Sequence, residues 1–161
     1  MLILPYDQNK AVQYARTWAL SRNPKFYDFS KIGGDCTSFV SQCIYAGAQT
    51  MNYIPVTGWY YNSIQSRSAS WSSVQYLYQF LTTNKGVGPF GVDVPLARLQ
   101  PGDVVQLGRE DGTFYHSLLI TQTKPEILVC AHSQDWLDRP LQNYTFYQLR
   151  GLQIQGVRKM K

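Results

Sequence analysis

The chain has 161 residues, of which 44% are hydrophobic and 16% charged, and its formal net charge is +5. This balance is typical of one globular domain that buries a core without disulfide bonds, and it excludes a disordered chain. No apolar run reaches the length of a membrane span and no motif of a nucleic-acid-binding module occurs, so we expect neither a membrane span nor a nucleic-acid partner. The mild basic excess suits an anionic polymer as partner, although a solvated basic tail is the simpler interpretation.

The first residues carry no secretion signal. Met1–Pro5 lacks a basic segment followed by a long apolar stretch, so it is not a signal peptide. Two locations stay open: the cytoplasm if this is the whole chain, and the extracellular space if it is a domain separated from its export signal. The three cysteines, Cys36, Cys43 and Cys130, are too few and odd in number for a disulfide framework. We expect Cys43 to be a buried apolar residue.

Two helices are predicted in the first third of the chain. An apolar stripe predicts a helix over residues 8–21, and Asn23-Pro24 ends it because the residue before a proline avoids the helical region. A two-glycine turn then leads to Cys36, which opens a second helix that ends near Gly47, a residue typical of a C-cap. The apolar residues that recur at helical spacing in this second helix are Phe39, Val40, Cys43 and Ile44.

The middle of the chain is less regular. Residues 50–70 are aromatic and polar without a clear period, which predicts a long irregular excursion. Residues 71–83 carry a third apolar stripe of helical spacing, with Ser70 or Ser72 as its N-cap.

From about residue 100 the period becomes that of strands. Asp111-Gly112 is typical of a hairpin turn. The predicted strand segments are 104–107, 116–121, 127–132, 144–149 and 152–155. Helices followed by antiparallel strands predict an α+β fold in one domain over residues 1–161.

Cys36 is placed to act as a nucleophile. The first N–H groups of a helix are unpaired and carry the positive end of the helix dipole. A thiolate there is stabilised, so we expect the pKa of Cys36 to be lowered.

The chain has two histidines, both in the strand half. Segments 116–121 and 127–132 are joined by a short connection around Lys124 and should pair antiparallel. A connection centred on Lys124 places His116 opposite His132, on one face of the sheet. The same register pairs Leu118 with Cys130 and Ile120 with Leu128, and a one-residue slip would break the arrangement.

These residues form a candidate catalytic set. Cysteine catalysis needs a base for the thiol proton and a third polar group that orients the base. We expect His116 to be the general base and acid, and His132 to orient it, with Asp135 as the alternative orienter. The Cys36 N–H is a candidate oxyanion donor, with Tyr27 as a weaker second one.

Other roles for nearby residues carry less weight. Trp59 and Tyr60 fit core or loop packing better than a substrate groove, although with Asp35 they are weak groove candidates. Cys130, His132 and His116 are possible metal ligands, but structural zinc usually draws on closely spaced cysteine pairs, which the chain lacks. We therefore expect no metal and no cofactor.

Five segments together resemble a known family. They are Gly-Asp-Cys-Thr-Ser-Phe-Val-Ser-Gln at 34–42, Gly-Trp-Tyr-Tyr at 58–61, Leu-Gln-Pro-Gly-Asp-Val-Val-Gln-Leu at 99–107, Tyr-His-Ser-Leu-Leu-Ile-Thr at 115–121 and Ala-His-Ser-Gln-Asp at 131–135. Between about Ala11 and Arg158 the chain resembles the putative amidase domain of bacteria. That family is similar to the NlpC-type and CHAP cell-wall cysteine peptidases, which have a papain-like fold.

The resemblance implies a function and a site. Cys36 matches the nucleophile, His116 the catalytic histidine and His132 the third polar position. The implied activity is a cysteine-dependent amidase or endopeptidase that acts, through a thioacyl intermediate, on the peptide part of peptidoglycan. A cell-wall-binding module without turnover on the same fold, and an acyltransferase that uses the same cysteine and histidine, are the alternatives.

Overall fold

The computed structural model describes all 161 residues and confirms an α+β fold with a mostly antiparallel sheet. Seven strands form one sheet in the order β1-β9-β5-β6-β7-β8, with β4 on the other side of β9. These strands are β1 (Leu2–Leu4), β4 (Gly88–Val94), β5 (Val104–Gly108), β6 (Phe114–Gln122), β7 (Leu128–Ala131), β8 (Trp136–Pro140) and β9 (Gln148–Lys159). Two short strands, β2 (Tyr61–Ser63) and β3 (Ser66–Arg67), pair separately.

The helices pack on one face of the large sheet. They are α1 (Gln8–Trp18), α2 (Cys36–Ala48), α3 (Ala69–Ser72) and α4 (Val74–Thr83). Single 3-10 turns at Phe29–Lys31, Leu96–Arg98 and Leu141–Asn143 complete the regular structure. The longest α-helix falls short of the length and apolar character that a bilayer crossing requires.

The first two predicted helices are confirmed, with different ends. The side chain of Asp7 caps α1 through the Lys10 N–H, and the helix ends at Trp18. α2 runs through Gly47 and is closed by Gln49 in the left-handed conformation, so the assignment of Gly47 as C-cap is wrong. Gly47 is instead the point where Tyr6 and the Asp7 carbonyl approach the helix most closely.

The third predicted helix is broken in two. Ser73 adopts an extended conformation between α3 and α4, and its hydroxyl caps α4 through the Tyr76 N–H. Ser70 and Ser72 are therefore not its caps. Ser70 is buried and donates instead to the Gly58 carbonyl, because the preceding irregular segment folds over the helix start.

The predicted strands are present, and the sheet has more of them than expected. The predicted last strand at 152–155 is the middle of β9, which begins at Gln148, so residues 144–147 precede it as an extended connection. β1, β4 and β8 were not predicted, because they are short or interrupted by glycine or proline and carry no alternating pattern. The Asp111-Gly112 turn joins β5 to β6, with Gly112 at a positive φ of 93°.

The predicted register of β6 and β7 is wrong, by one residue at Cys130 and by two at Leu128. Leu119 pairs with Cys130 and Ile120 with Val129, whereas further along Gln122 pairs with Leu128. Between the last two pairs β6 advances by two residues and β7 by one, which is a bulge. On the side of the bulge that carries the histidines, each β6 residue pairs one position away from the predicted register. Continued from Leu119 and Cys130, this register sets His132 against Ser117.

The register divides the sheet's side chains between two cores. Leu119 and Cys130 face the helices in the larger core. Leu118 and Ile120 point to the other face, into a smaller core covered by the 3-10 segments around Leu99 and Leu141. Because side chains alternate along a strand, His116 shares the second face with Leu118, whereas Ser117 faces the helices.

Gly47 provides a test of the contact between α1 and α2. A Cβ there would lie 2.6 Å from both the Asp7 carbonyl oxygen and the Tyr6 ring. We expect Gly47→Ala to lower the free energy of unfolding by about 1–3 kcal/mol, since overpacking forces backbone to move. Urea unfolding followed by circular dichroism measures this.

Gly86→Ala is the matched control, because a Cβ at Gly86 meets nothing closer than 3.6 Å. Equal stability of the two variants would contradict the close approach at Gly47.

Candidate active site

Cys36 is the first residue of α2, as predicted, and the residue before it has an unusual role. Asp35 stands at the N-cap position, but its side chain makes no capping hydrogen bond to the helix. One carboxylate oxygen accepts instead from the Phe29 N–H at 2.8 Å. The Phe39 N–H makes the first backbone bond of the helix, to the Asp35 carbonyl, so the N–H of Cys36 has no backbone partner.

The Cys36 sulfur lies beside β6, at the point where β7 stops pairing with that strand. The Ile120 N–H donates to Asp103 in the direction of β5, and alternation along the strand directs the Ser117 N–H toward β7. β7 pairs with β6 only as far as Cys130, so the Ser117 N–H has no strand partner. It lies against the Cys36 sulfur instead. The sulfur thus sits beside the peptide that joins His116 to Ser117.

Thr37 fixes the first turn of α2 to the same strand. Its hydroxyl lies 2.9 Å from the Ser117 hydroxyl, and both residues are fully buried. The Gln106 amide of β5 donates to the Ser117 hydroxyl at 3.1 Å and so extends the contact across the sheet. The helix start is therefore tied to β6 by buried hydrogen bonds as well as by apolar packing.

The prediction of a lowered cysteine pKa is wrong. Cys36 is 8% exposed, and burial raises its pKa above the ordinary value of a thiol. The N–H groups of Ser117 and Thr37 act in the opposite direction, and the Asp35 carboxylate raises the pKa further. Desolvation outweighs the helix dipole here because the thiolate would lose more hydration than the helix N-terminus returns. The resting thiol is protonated at neutral pH.

His116 directly precedes Ser117, whose N–H lies near the sulfur, and the His116 ring makes no hydrogen bond. Its ring stacks near Tyr115 and Tyr144, with centroids 6.3 and 6.0 Å away. Burial, and then the positive charge of Arg139, lower the pKa of His116 to about 4. The imidazole is therefore neutral at pH 7, which is the form that accepts a proton.

Sequence reasoning missed Arg139 and Tyr144, the neighbours of His116. Arg139 lies in β8 opposite Val129, which places it on the second face of the sheet. Its guanidinium stacks 4.3 Å from the ring centroids of Trp136 and of Tyr144. β8 itself was not predicted, so no sequence signal assigned Arg139 to a face.

His132 does not contact His116. Its ring is 1% exposed and stacks on Phe39 of α2 at 4.0 Å, on the helix side of the sheet. Nδ1 lies 2.6 Å from an Asp35 carboxylate oxygen, and Nε2 lies 2.8 Å from the Trp18 carbonyl oxygen. Both ring nitrogens are thus engaged elsewhere, and the structure does not bring His132 to the position of an orienter.

Asp135 also lies away from His116. Its two carboxylate oxygens accept from Arg22 at 2.9 and 3.0 Å. The Arg22 Nε lies 3.2 Å from Asp28 and 3.6 Å from Asp35. This cluster of Arg22 with three aspartates closes the solvent side of the pair formed by Asp35 and His132.

Of the expected donor and groove residues, Asp35 directly precedes Cys36, whereas the thiol makes no hydrogen bond to Tyr27, Trp59 or Tyr60. Tyr27 is at the surface and its own N–H donates to the Tyr61 hydroxyl. Trp59 is fully buried in the larger core, and Asp35 is 1% exposed, so neither can line a groove. Tyr60 is partly exposed and packs on the same core beside Tyr53. The sequence carries no signal that distinguishes Tyr27, Trp59 or Tyr60 from ordinary packing aromatics.

The cysteines are all free thiols, and Cys43 is buried in the larger core as predicted. Cys130 is also fully buried there, whereas His116 is on the opposite face. No group of three or more histidine, cysteine, aspartate or glutamate side chains converges in a metal-binding arrangement.

The fold and site define an α+β protein with a cysteine at a helix start against a histidine-bearing strand. The sequence profile of the putative amidase domain family matches residues 5–154, so the chain belongs to that family. Membership supports a hydrolase that acts on amides.

A curated relative shares much of this domain. The chain is 37% identical over 119 residues, or 71% of its length, to the uncharacterized protein YhbB of Bacillus subtilis (strain 168). The match covers 37% of that protein, so the chain spans well under half of the relative. No solved structure matches the chain.

The raised pKa of Cys36 predicts a specific pH dependence. The measurement is the rate of Cys36 alkylation by iodoacetamide as a function of pH. We expect its midpoint to lie above 9, the ordinary pKa of a cysteine thiol. Peptide mapping by mass spectrometry separates Cys36 from the buried Cys43 and Cys130. A midpoint near neutral pH would show that the thiolate is stabilised in the resting protein.

The buried pair of Asp35 and His132 predicts a large effect on stability. Removing one member leaves the other buried without its partner, which typically costs about 3–5 kcal/mol. We expect Asp35→Ala to lower the free energy of unfolding by that amount in urea titrations. Glu110→Ala is the control, since Glu110 is exposed and forms no ion pair or hydrogen bond. A loss below 1 kcal/mol would contradict the pairing.

Proposed function

We propose that the protein is a cysteine-dependent amide hydrolase with Cys36 as nucleophile and His116 as general base and acid. One observation carries the proposal: the Cys36 sulfur lies near the N–H of Ser117, the residue that follows His116, in a chain of the amidase family. The similarity to papain-like peptidases through the nucleophile helix and the histidine strand supports the same assignment.

The protonation states favour attack with concerted proton transfer. Because the Cys36 pKa is raised and the His116 pKa is lowered, the thiol and the imidazole are both neutral in the resting protein. The ring of His116 makes no hydrogen bond, so it can turn toward the sulfur. Hydrogen bonds of this kind often tighten only when substrate binds.

The reaction then follows in two stages. As the sulfur attacks the amide carbonyl carbon, His116 takes the thiol proton and a C–S bond forms. The imidazolium returns that proton to the amine nitrogen, the C–N bond breaks, and a thioester remains. Water, deprotonated by His116, adds to the thioester and releases the acid and the thiol.

The start of α2 is the candidate oxyanion site. The Cys36 N–H has no backbone partner and lies at the positive end of the helix dipole. A donor there stabilises the oxygen of the tetrahedral intermediate, which is where negative charge develops. Tyr27 is the candidate for a second donor through its hydroxyl alone, since its backbone N–H donates to the Tyr61 hydroxyl.

The peptide part of peptidoglycan is the substrate that we propose. The resemblance to cell-wall cysteine peptidases points to it, and the net charge of +5 suits an anionic polymer. The bond cleaved would be a peptide bond, or the amide that joins muramic acid to the peptide.

A binding module without turnover is the second candidate. The raised pKa of Cys36 and the absence of a hydrogen bond between Cys36 and His116 favour it. Transfer of the acyl group to an amine would use the same thioester, and added amine acceptors would reveal it in the products.

Digestion of purified bacterial cell walls tests the proposal. Wild-type protein should release new amino termini, detected by mass spectrometry, and Cys36→Ala should abolish the release because no thioester can form. Cys43→Ala is the matched control and should retain activity, since Cys43 is a core residue.

Release that survives in Cys36→Ala would refute the mechanism. Binding of wall material without release in wild type would favour the binding module.

A further inference from the structure

Two arginines flank His116 on the second face of the sheet. Arg139 stacks between Trp136 and Tyr144, and Tyr144 lies beside His116. On the other side, the guanidinium of Arg109 lies 4.5 Å from the ring centroid of Tyr115, which stacks on His116. The rings of Tyr144, His116 and Tyr115 therefore follow one another, with one guanidinium stacked at each end.

Neither arginine has a carboxylate partner. The ion pairs of the molecule are formed by Arg16, Arg22 and His132, all on the helix side of the sheet. Arg139 donates to the Asn143 carbonyl and also interacts with the Tyr144 hydroxyl, and it forms no salt bridge. A stacked guanidinium is held in place by the rings while its N–H fork stays available for an anion.

The neighbouring acid of β8 is turned away. Asp138 points to the helix side, where it binds Arg16 at 3.3 Å and the Thr121 hydroxyl at 2.5 Å. Near Arg109 lies Asp111, one of whose carboxylate oxygens accepts from the Thr113 N–H and hydroxyl. Asp111 forms no salt bridge with Arg109, although the charge of Arg109 helps to lower its pKa. The positive charge of Arg139 is thus not cancelled by a carboxylate of the chain.

We propose that Arg139, with Arg109, is a carboxylate-binding strip that selects amide substrates bearing a carboxylate close to the bond attacked by Cys36. This inference rests on the proposed hydrolase function and names its substrate class: a peptide with acidic groups next to the scissile amide. Arg139 is the main contact, since it is nearer to His116 and is fixed by two rings.

The electrostatics of His116 agree with this selection. The groups near it that titrate or carry charge are Tyr115, Tyr144 and Arg139. After burial, the charge of Arg139 is the cause that lowers the pKa of His116. A substrate carboxylate on Arg139 would offset that charge and favour the imidazolium that forms during attack. Acidic substrates would therefore be bound and also activated.

Two alkylating reagents of nearly the same size test the strip without requiring turnover. Iodoacetate is anionic and iodoacetamide is neutral, and both react with the Cys36 thiolate by displacement of iodide. The ratio of their rates at Cys36, at one pH and followed by peptide mapping, reports attraction of a carboxylate and cancels changes in the thiol pKa.

We expect Arg139→Gln to lower the iodoacetate-to-iodoacetamide ratio about threefold or more, the size of one nearby charge in a partly aqueous site. Arg109→Gln should lower the ratio less. Salt at 0.5 M should also lower the wild-type ratio, because it screens the attraction between the arginines and the reagent's carboxylate. Arg158→Gln is the matched control, because Arg158 stacks on Phe90 in the same manner on β9.

An unchanged ratio in folded Arg139→Gln overturns the proposal. Should that variant fail to fold, the wild-type protein supplies the test: an iodoacetate-to-iodoacetamide ratio that does not fall in 0.5 M salt overturns the proposal. In a parallel measurement, triglutamate should protect Cys36 from iodoacetamide better than triglutamine; equal protection would count against the strip.

The outcome is separable from that of the wall digestion. A protein that digests walls but shows no dependence on Arg139 keeps the hydrolase function and loses the strip. A protein that shows the dependence but releases no amino termini keeps the strip and loses the hydrolase.

Discussion

The contact between Asp35 and His132 fixes the geometry on which the candidate site depends. It joins the residue before α2 to the residue that follows β7 across 2.6 Å, and both side chains are 1% exposed. Removing either partner alone is costly, because the other would be left buried without its hydrogen bond. The contact holds the first turn of α2 at the end of the sheet, where β6 has lost its neighbour.

With the helix start held there, the Cys36 sulfur lies at the edge of β6 that β7 leaves unpaired. β7 stops pairing with β6 at Cys130, and the nearby sulfur helps to accommodate the Ser117 N–H. Thr37 adds a hydrogen bond between its hydroxyl and that of Ser117. Site and fold are therefore built from the same contacts, so the variants that unfold the helix start also displace the thiol.

The bulge between Ile120 and Gln122 gives the two histidines different roles. One extra residue in β6 turns His116 to the face that carries Arg139, while His132 stays on the face of the helices. The His116 imidazole is neutral and makes no hydrogen bond, whereas His132 is held in a buried pair with Asp35. Strand registers specify faces by parity, so a single inserted residue has this effect on every side chain beyond it.

Local sequence determined the nature of the elements and the position of the thiol. Apolar spacing predicted α1, α2 and the main strands, and the glycine turn predicted a helix that begins at Cys36, because these patterns depend on neighbours within a few residues. Tertiary structure alone decided the bulge, the partner of His132, the burial that raises the pKa of Cys36, and the arginine beside His116. Each of these depends on contacts between residues far apart in the chain, such as Asp35 with His132, and no local pattern records which distant side chain will fill a buried position.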